Sequence, residues 1–306
     1  MRVSNKAIYD TLTYNLANVS DAMLQANKVV STGKRINRLS DDPVGLVGVL
    51  NLRSSLDYLD QLERNIIMGK SWLNMGETAL SQVEDILSQA KALTVSMSSD
   101  NQGADQRADA AVEVDGYFHQ ILSLANTQVD GRYIFAGTQT DTAPFAFDDS
   151  VPEVAYEGND TAFEINIAKG INVAVGRDGE QIFGDDNCDW GDRDAGTDNI
   201  FKTLLDLKSH LQNNEVDDIR TAMNELDNHL STLRTMIADT GSKLNRLGLK
   251  STIIQDLRAT YTERKSELED ADIAEAVMDL QAKELAYEAA LASSAKVMQM
   301  SLVDFI

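Results

Sequence analysis

Apolar residues recur at alternating steps of three and four near the start of the chain: Tyr9, Leu12, Leu16, Val19, Met23, Ala26 and Val30. That spacing sets seven side chains along one seam of a helix. The helix is predicted to stop near Gly33, and residues 31–42 read as a polar, basic connector. Asp42-Pro43 then reads as a helix start. The acid serves as N-cap, and proline's missing N–H costs nothing at the first helical position. A long helix follows to about residue 99, its seam passing through Leu62, Ile66, Gly69, Leu73, Gly76, Leu80, Val83, Leu87, Ala90, Thr94 and Met97. Each seam glycine costs about 1 kcal/mol against alanine, so a close helix approach is expected at Gly69 and Gly76. A further helix is predicted over about 104–130, closed by Gly131.

The period then changes to two. Thr161 to Ala168 alternates Phe163, Ile165 and Ile167 with Glu164 and Asn166, the pattern of a half-buried strand. Ile171, Val173 and Val175 repeat it after the turn signal Lys169-Gly170. Helix returns at Thr197 or Asp198. Between 216 and 268, sixteen heptad positions hold twelve apolar residues, from Val216 and Ile219 to Tyr261 and Leu268. A helix of that length spans about 80 Å at 1.5 Å per residue, more than a globular core needs. The last stripe runs through Ile273, Val277, Leu280, Tyr287, Leu291, Met298 and Phe305, and neither glycine nor proline occurs after Leu249.

The fold expected is mainly α: an elongated coiled-coil rod from N- and C-terminal helices with a small inserted β domain. Residues 1–40 with 270–306 would form a terminal coiled coil, 41–138 with 197–269 a helical rod, and 139–196 the insertion. Charge supports pairing of the ends. Residues 1–40 carry a net +4 and residues 266–306 a net -7. Neither terminal stripe buries itself alone, so the two are expected to pair antiparallel. The seam residues Tyr9, Leu12, Leu16, Val19, Met23, Val30, Ile273, Val277, Leu280, Tyr287, Leu291 and Met298 are the candidate assembly interface. The insertion carries a net -12 across 141–198. It is therefore expected outside the rod, dispensable for the rod's folding.

Little in the chain points to chemistry. The net charge of -22 argues against binding nucleic acid. No run of 18 apolar residues suggests a membrane span, and an acidic C-terminal helix is ill suited to an anionic membrane surface. No apolar stretch of signal-peptide length opens the chain. Cys188 is the lone cysteine, which excludes an intrachain disulfide and a cysteine-rich zinc site. Asp185, Asn187 and Asp189 alternate like the start of a calcium loop, but Trp190 and Gly196 stand where glycine and glutamate are required; a solvated acidic loop fits better. A helix cap explains Asp41 and Asp42 with fewer assumptions than a metal pair. His119, His210 and His229 lack ligand spacing and read as helix-face residues. No catalytic, metal or cofactor site is assigned, and no enzyme is expected.

Three motifs carry a family resemblance. The run Ser31 to Gly45, with Gly33, Arg35, Asn37, Asp41, Asp42 and Pro43, resembles the N-terminal signature of the flagellin superfamily. Its Thr32-Gly33-Lys34-Arg35 and Asp41-Asp42-Pro43 forms are closer to the hook-filament junction branch than to flagellin proper. Gly131 to Thr138 followed by Pro144-Phe145 resembles that branch's exit from the helical domain. Leu268 to Val277, with the ending Ser301 to Ile306, is the third match. The resemblance implies a structural subunit that self-assembles into a ring or tube. It implies secretion through the flagellar type III apparatus without a cleaved signal, after binding of an export chaperone to the C-terminal helix. The implied location is the hook-filament junction of the bacterial flagellum, between the first hook-associated protein and flagellin. Flagellin itself is the alternative reading.

Overall fold

Gly33 ends the first helix, α1 (Arg2–Thr32), by taking a φ of 68°, a left-handed conformation open to glycine at little cost. Asp42 starts the next, α2 (Pro43–Met97), its carboxylate accepting the Gly45 N–H at 2.8 Å. Helices α3 (Ala104–Ala125), α4 (Glu180–Phe183), α5 (Ile200–Asn213), α6 (Val216–Glu269) and α7 (Ile273–Val303) follow. In this computed structural model, residues 2–148, 153–184 and 199–303 are described. The acidic stretch at 185–198 with Cys188, and the Phe305-Ile306 ending, lie outside them. No described helix is long and apolar enough to cross a membrane. Between α3 and α4 lie six short strands: β1 (Gln128–Val129), β2 (Arg132–Tyr133), β3 (Phe145–Asp148), β4 (Glu153–Tyr156), β5 (Glu164–Ala168) and β6 (Ile171–Ala174). They pair as three antiparallel hairpins, β1 with β2, β3 with β4 and β5 with β6. The fold is mainly α with a small β region, as the two periods required.

The chain divides into two compact units, Asp60–Gln255 and the residues on either side of it. The central unit owns the larger core. Phe118 of α3, Phe145 of β3, Phe183 of α4 and Phe201 of α5 are all at most 4% exposed. Phe145 lies 5.2 Å from Phe183 and 5.3 Å from Phe201, ring centre to ring centre, and Phe118 lies 5.8 Å from Phe201. Leu80 and Leu87 of α2 and Leu226, Leu230 and Leu233 of α6 complete the cluster. This shared core stands against the expectation that residues 139–196 are dispensable for the rod. Hairpin and helix from that segment supply aromatic rings that the flanking helices bury, whatever the charge on its surface.

Helix α3 stops at Ala125, not near 130, because the Asn126 side chain grips the backbone of Phe145, accepting its N–H at 3.1 Å and donating to its carbonyl at 2.9 Å. Asp130-Gly131, at φ 51° and 78°, forms the tight turn between β1 and β2. Asp-Gly is a hairpin signal as well as a helix stop. At Gly69 the close neighbour is a strand: a Cβ there would lie 2.3 Å from Ile165 of β5 and 3.4 Å from Leu247 of α6. At Gly76 it would meet nothing within 4 Å, so close approach does not account for that glycine. Of the histidines, His119 is exposed on its helix, whereas His210 and His229 are buried at 9% and 3% exposure. His229 shares a 3.0 Å hydrogen bond with Thr203.

Candidate assembly surface

The second unit holds α1, α7 and the adjoining ends of α2 and α6. Within it, the connector after α1 meets the turn between α6 and α7 in a joint. The Arg35 N–H donates to the Glu269 carbonyl at 2.8 Å, and the Ala271 N–H donates to the Gly33 carbonyl at 3.0 Å. The Arg35 guanidinium reaches the Leu268 carbonyl at 2.9 Å. Glu269 has a side chain only 3% exposed, and its Oε1 takes Lys34 at 2.6 Å and Arg53 at 2.5 Å. The opposite charges of the two ends thus act here; among the described residues no ion pair links α1 to α7 along their length.

The motif residues build the same joint. Asn37 donates from its side chain to the Lys34 carbonyl at 2.6 Å and from its backbone to Asp41 at 3.0 Å. Asp41 also takes the Arg38 N–H at 2.8 Å, and these bonds hold its carboxyl below the usual carboxylate range. Only Asp42 caps α2. Asp41, expected to share that task, instead closes the loop. Gly45 is needed for clearance: a Cβ would lie 2.4 Å from Asp42 and 2.8 Å from Ile36.

Glu269 makes the joint sensitive to acid. Burial would raise its pKa, but the Lys34 ammonium and Arg53 guanidinium outweigh that and hold it below the ordinary 4.5. A carboxylate with a lowered folded pKa contributes stability that is present above the unfolded value and lost as pH falls through the folded one. The helical signal of this unit should therefore weaken below about pH 4.5. A Glu269→Gln variant should be less stable at pH 7 by about 1–3 kcal/mol and lose less on acidification. Thermal melts by circular dichroism from pH 7 to 3 measure both.

Helices α1 and α7 run antiparallel. Gly33 lies beside Ile273 at one end, and Tyr9 to Leu16 face Leu291 to Met298 at the other. On α1, Leu12, Leu16, Val19, Met23 and Val30 are half-buried, Ala26 is buried and Tyr9 is exposed. On α7, Val277, Leu280 and Tyr287 are half-buried, while Ile273, Leu291 and Met298 are 40–50% exposed. Leu291 and Met298 instead flank a groove of about 330 Å³ whose other wall is Tyr9, Leu12 and Leu16. The seam of this pair thus stays half wet.

A second stripe on α7 was not read from the sequence. Met278, Ala282, Leu285, Ala289 and Ala292 repeat at four and three, and all are exposed, Met278 by 64% and Leu285 by 68%. The signal that betrays it is α7's lack of a polar face. A helix apolar on more than one side is ordinarily covered on more than one side, and alanines at heptad spacing leave room for close helix contact.

Known proteins resemble this chain in sequence and in fold. Residues 3–140 match the family model described as the bacterial flagellin N-terminal helical region. Over 94% of the chain and 96% of the relative, the sequence is 28% identical to flagellar hook-associated protein 3 of Escherichia coli. It is 26% identical to the protein of that name from Salmonella typhimurium, over 99% and 98%. Proteins named flagellin match more distantly. A putative flagellar hook-associated protein from Vibrio parahaemolyticus shares the fold, with a TM-score of 0.66 and 22% identity over 75% of this chain and 100% of that one.

Proposed function

We propose that the chain, which matches the flagellin N-terminal helical region over residues 3–140 and resembles proteins named flagellar hook-associated protein 3, is a structural subunit of the bacterial flagellum, placed where the hook meets the filament. In this reading it assembles with copies of itself into a ring or short tube, bound below by the first hook-associated protein and above by flagellin. The observation that carries the mechanism is the incomplete packing of α1 and α7: one groove and one apolar stripe on the pair wait for further helices. A contact that joins different faces of successive copies extends around an axis instead of closing as a dimer. Residues 1–40 with 270–306 are the assembling part. Export by the flagellar type III route, with a chaperone covering α7 beforehand, completes the proposal. No catalysis, metal or cofactor enters it.

Deletion of the gene is the test. Cells should still build hooks and secrete flagellin, but the flagellin should appear unattached in the medium, and motility should be lost. The protein itself should be a trace band in sheared flagella. Were it the dominant band, with no filament protein made in the deletion strain, it would be a filament subunit instead.

A further inference from the structure

The corner between α5 and α6 places one imidazole and two carboxylates together. His210 lies in the last turn of α5, Glu215 precedes the first residue of α6, and Asp218 follows in its first turn. One donor atom from each lies within 4.8 Å of the others. His210 Nδ1 is hydrogen-bonded to Glu215 Oε2 at 2.7 Å.

The corner is held before any ligand arrives. Asn214 takes a left-handed φ of 62°, and its side chain accepts a hydrogen bond from the buried Arg107 guanidinium. Arg107 also donates to the Met97 carbonyl at 2.9 Å and the Ser99 carbonyl at 3.0 Å. The Glu215 N–H returns to the His210 carbonyl at 2.9 Å. Neighbouring charge is already matched. Arg220 pairs with Asp217 at 3.0 Å and Asp100 at 3.3 Å. Neither Glu215 nor Asp218 has a lysine or arginine partner among the described residues, and Asp218 makes no hydrogen bond or ion pair there. Two carboxylates near each other, with only an imidazole between them, are short of positive charge.

We propose that this corner binds a divalent transition-metal ion, with zinc as the best fit. Imidazole nitrogen and carboxylate oxygen both suit zinc, and three protein ligands with one water complete four-coordination. Two carboxylates and a neutral imidazole balance the charge of the ion. On binding, Nδ1 bonds the ion, the ring proton resides on Nε2, and the hydrogen bond between His210 and Glu215 gives way to their bonds to the ion. The helix ends bear on the site in opposite senses, since the carboxyl end of α5 favours a cation and the amino end of α6 opposes it. Bound, the ion would fasten α5 to α6 at the corner that also receives the loop after α2.

The test is calorimetric titration of zinc chloride into the untagged full-length chain carrying Cys188→Ser, which removes the one thiol. One equivalent should bind. Asp218→Asn should weaken binding at least about tenfold, and His210→Ala further. Asp218 is exposed and makes no bond, so its variant keeps the fold even where His210→Ala does not. Cobalt in place of zinc should give the visible spectrum of a four-coordinate nitrogen–oxygen site, lost in Asp218→Asn. Absence of binding, or equal binding by Asp218→Asn, overturns the proposal; the second result would assign the ion to the acidic surface elsewhere.

Discussion

A chain in which Leu16 and Val19 are both replaced by aspartate should fail to assemble while its central unit stays folded. Both residues are half-buried on the α1 seam, and Leu16 also lines the groove between α1 and α7. Each fully buried aliphatic side chain is worth about 1.5–3 kcal/mol. A carboxylate placed there without a partner costs more, and in an assembly the cost recurs in every subunit. The central unit does not share it, because Asp60–Gln255 holds a separate core around Phe118, Phe183 and Phe201. Cells carrying only the variant should be non-motile, and the purified protein should keep the cooperative melting transition of the wild-type core. Normal motility would contradict the assembly role of the seam. Loss of the transition would mean that the termini and the centre fold as one core.

Removing the β region should have an effect of the opposite kind, destroying the fold instead of the assembly. A variant that joins Gly137 to Gly196 by a short flexible linker loses Phe145, Val154, Ile182 and Phe183, each at most 4% exposed. Phe201 and Phe118 then face a void. Truncating one buried phenylalanine costs about 3–5 kcal/mol. Losing two of them with their aliphatic neighbours approaches the whole stability of an ordinary domain, about 5–15 kcal/mol. The deletion protein should be insoluble or melt without cooperativity, and Phe183→Ala alone should lower the unfolding free energy in urea by about 3–5 kcal/mol. A deletion protein that unfolds cooperatively at the wild-type midpoint would show that the hairpins merely rest on a self-sufficient helical bundle.

These outcomes mark where the sequence was legible. Helices were readable because a seam of alternating threes and fours has one structural meaning over many turns, and Pro43 and Gly33 mark ends that the structure keeps. The β5–β6 hairpin was readable for a similar reason, with period two on both sides of Lys169-Gly170. The role of the β region was not. Its net charge describes its surface, while Phe145 and Phe183 pack against helices far away in sequence, and charge counts carry no information about that. Asp130-Gly131 admits two meanings, and only the grip of Asn126 on Phe145 selects the hairpin. The second face of α7 was hidden by its alanines, which fit any helix surface and stand out only when the exposed positions are known. Glu269 was hidden as well. Nothing local separates it from the acids around it, and its importance comes from Lys34 and Arg53, more than two hundred residues away.

We propose that α1 and α7 form an incomplete bundle finished only by neighbouring copies. Hydrogen exchange on dilute monomer and on assembled protein tests it most directly, because backbone protection reports how completely a helix is packed. In the monomer, amides of residues 12–30 and 277–298 should exchange far faster than those of the core helices around Leu80, Phe118 and Leu226. In the assembly the same amides should become protected to a comparable degree. Slow exchange across both segments in dilute monomer would contradict the claim, since the helix pair would then be complete without a partner.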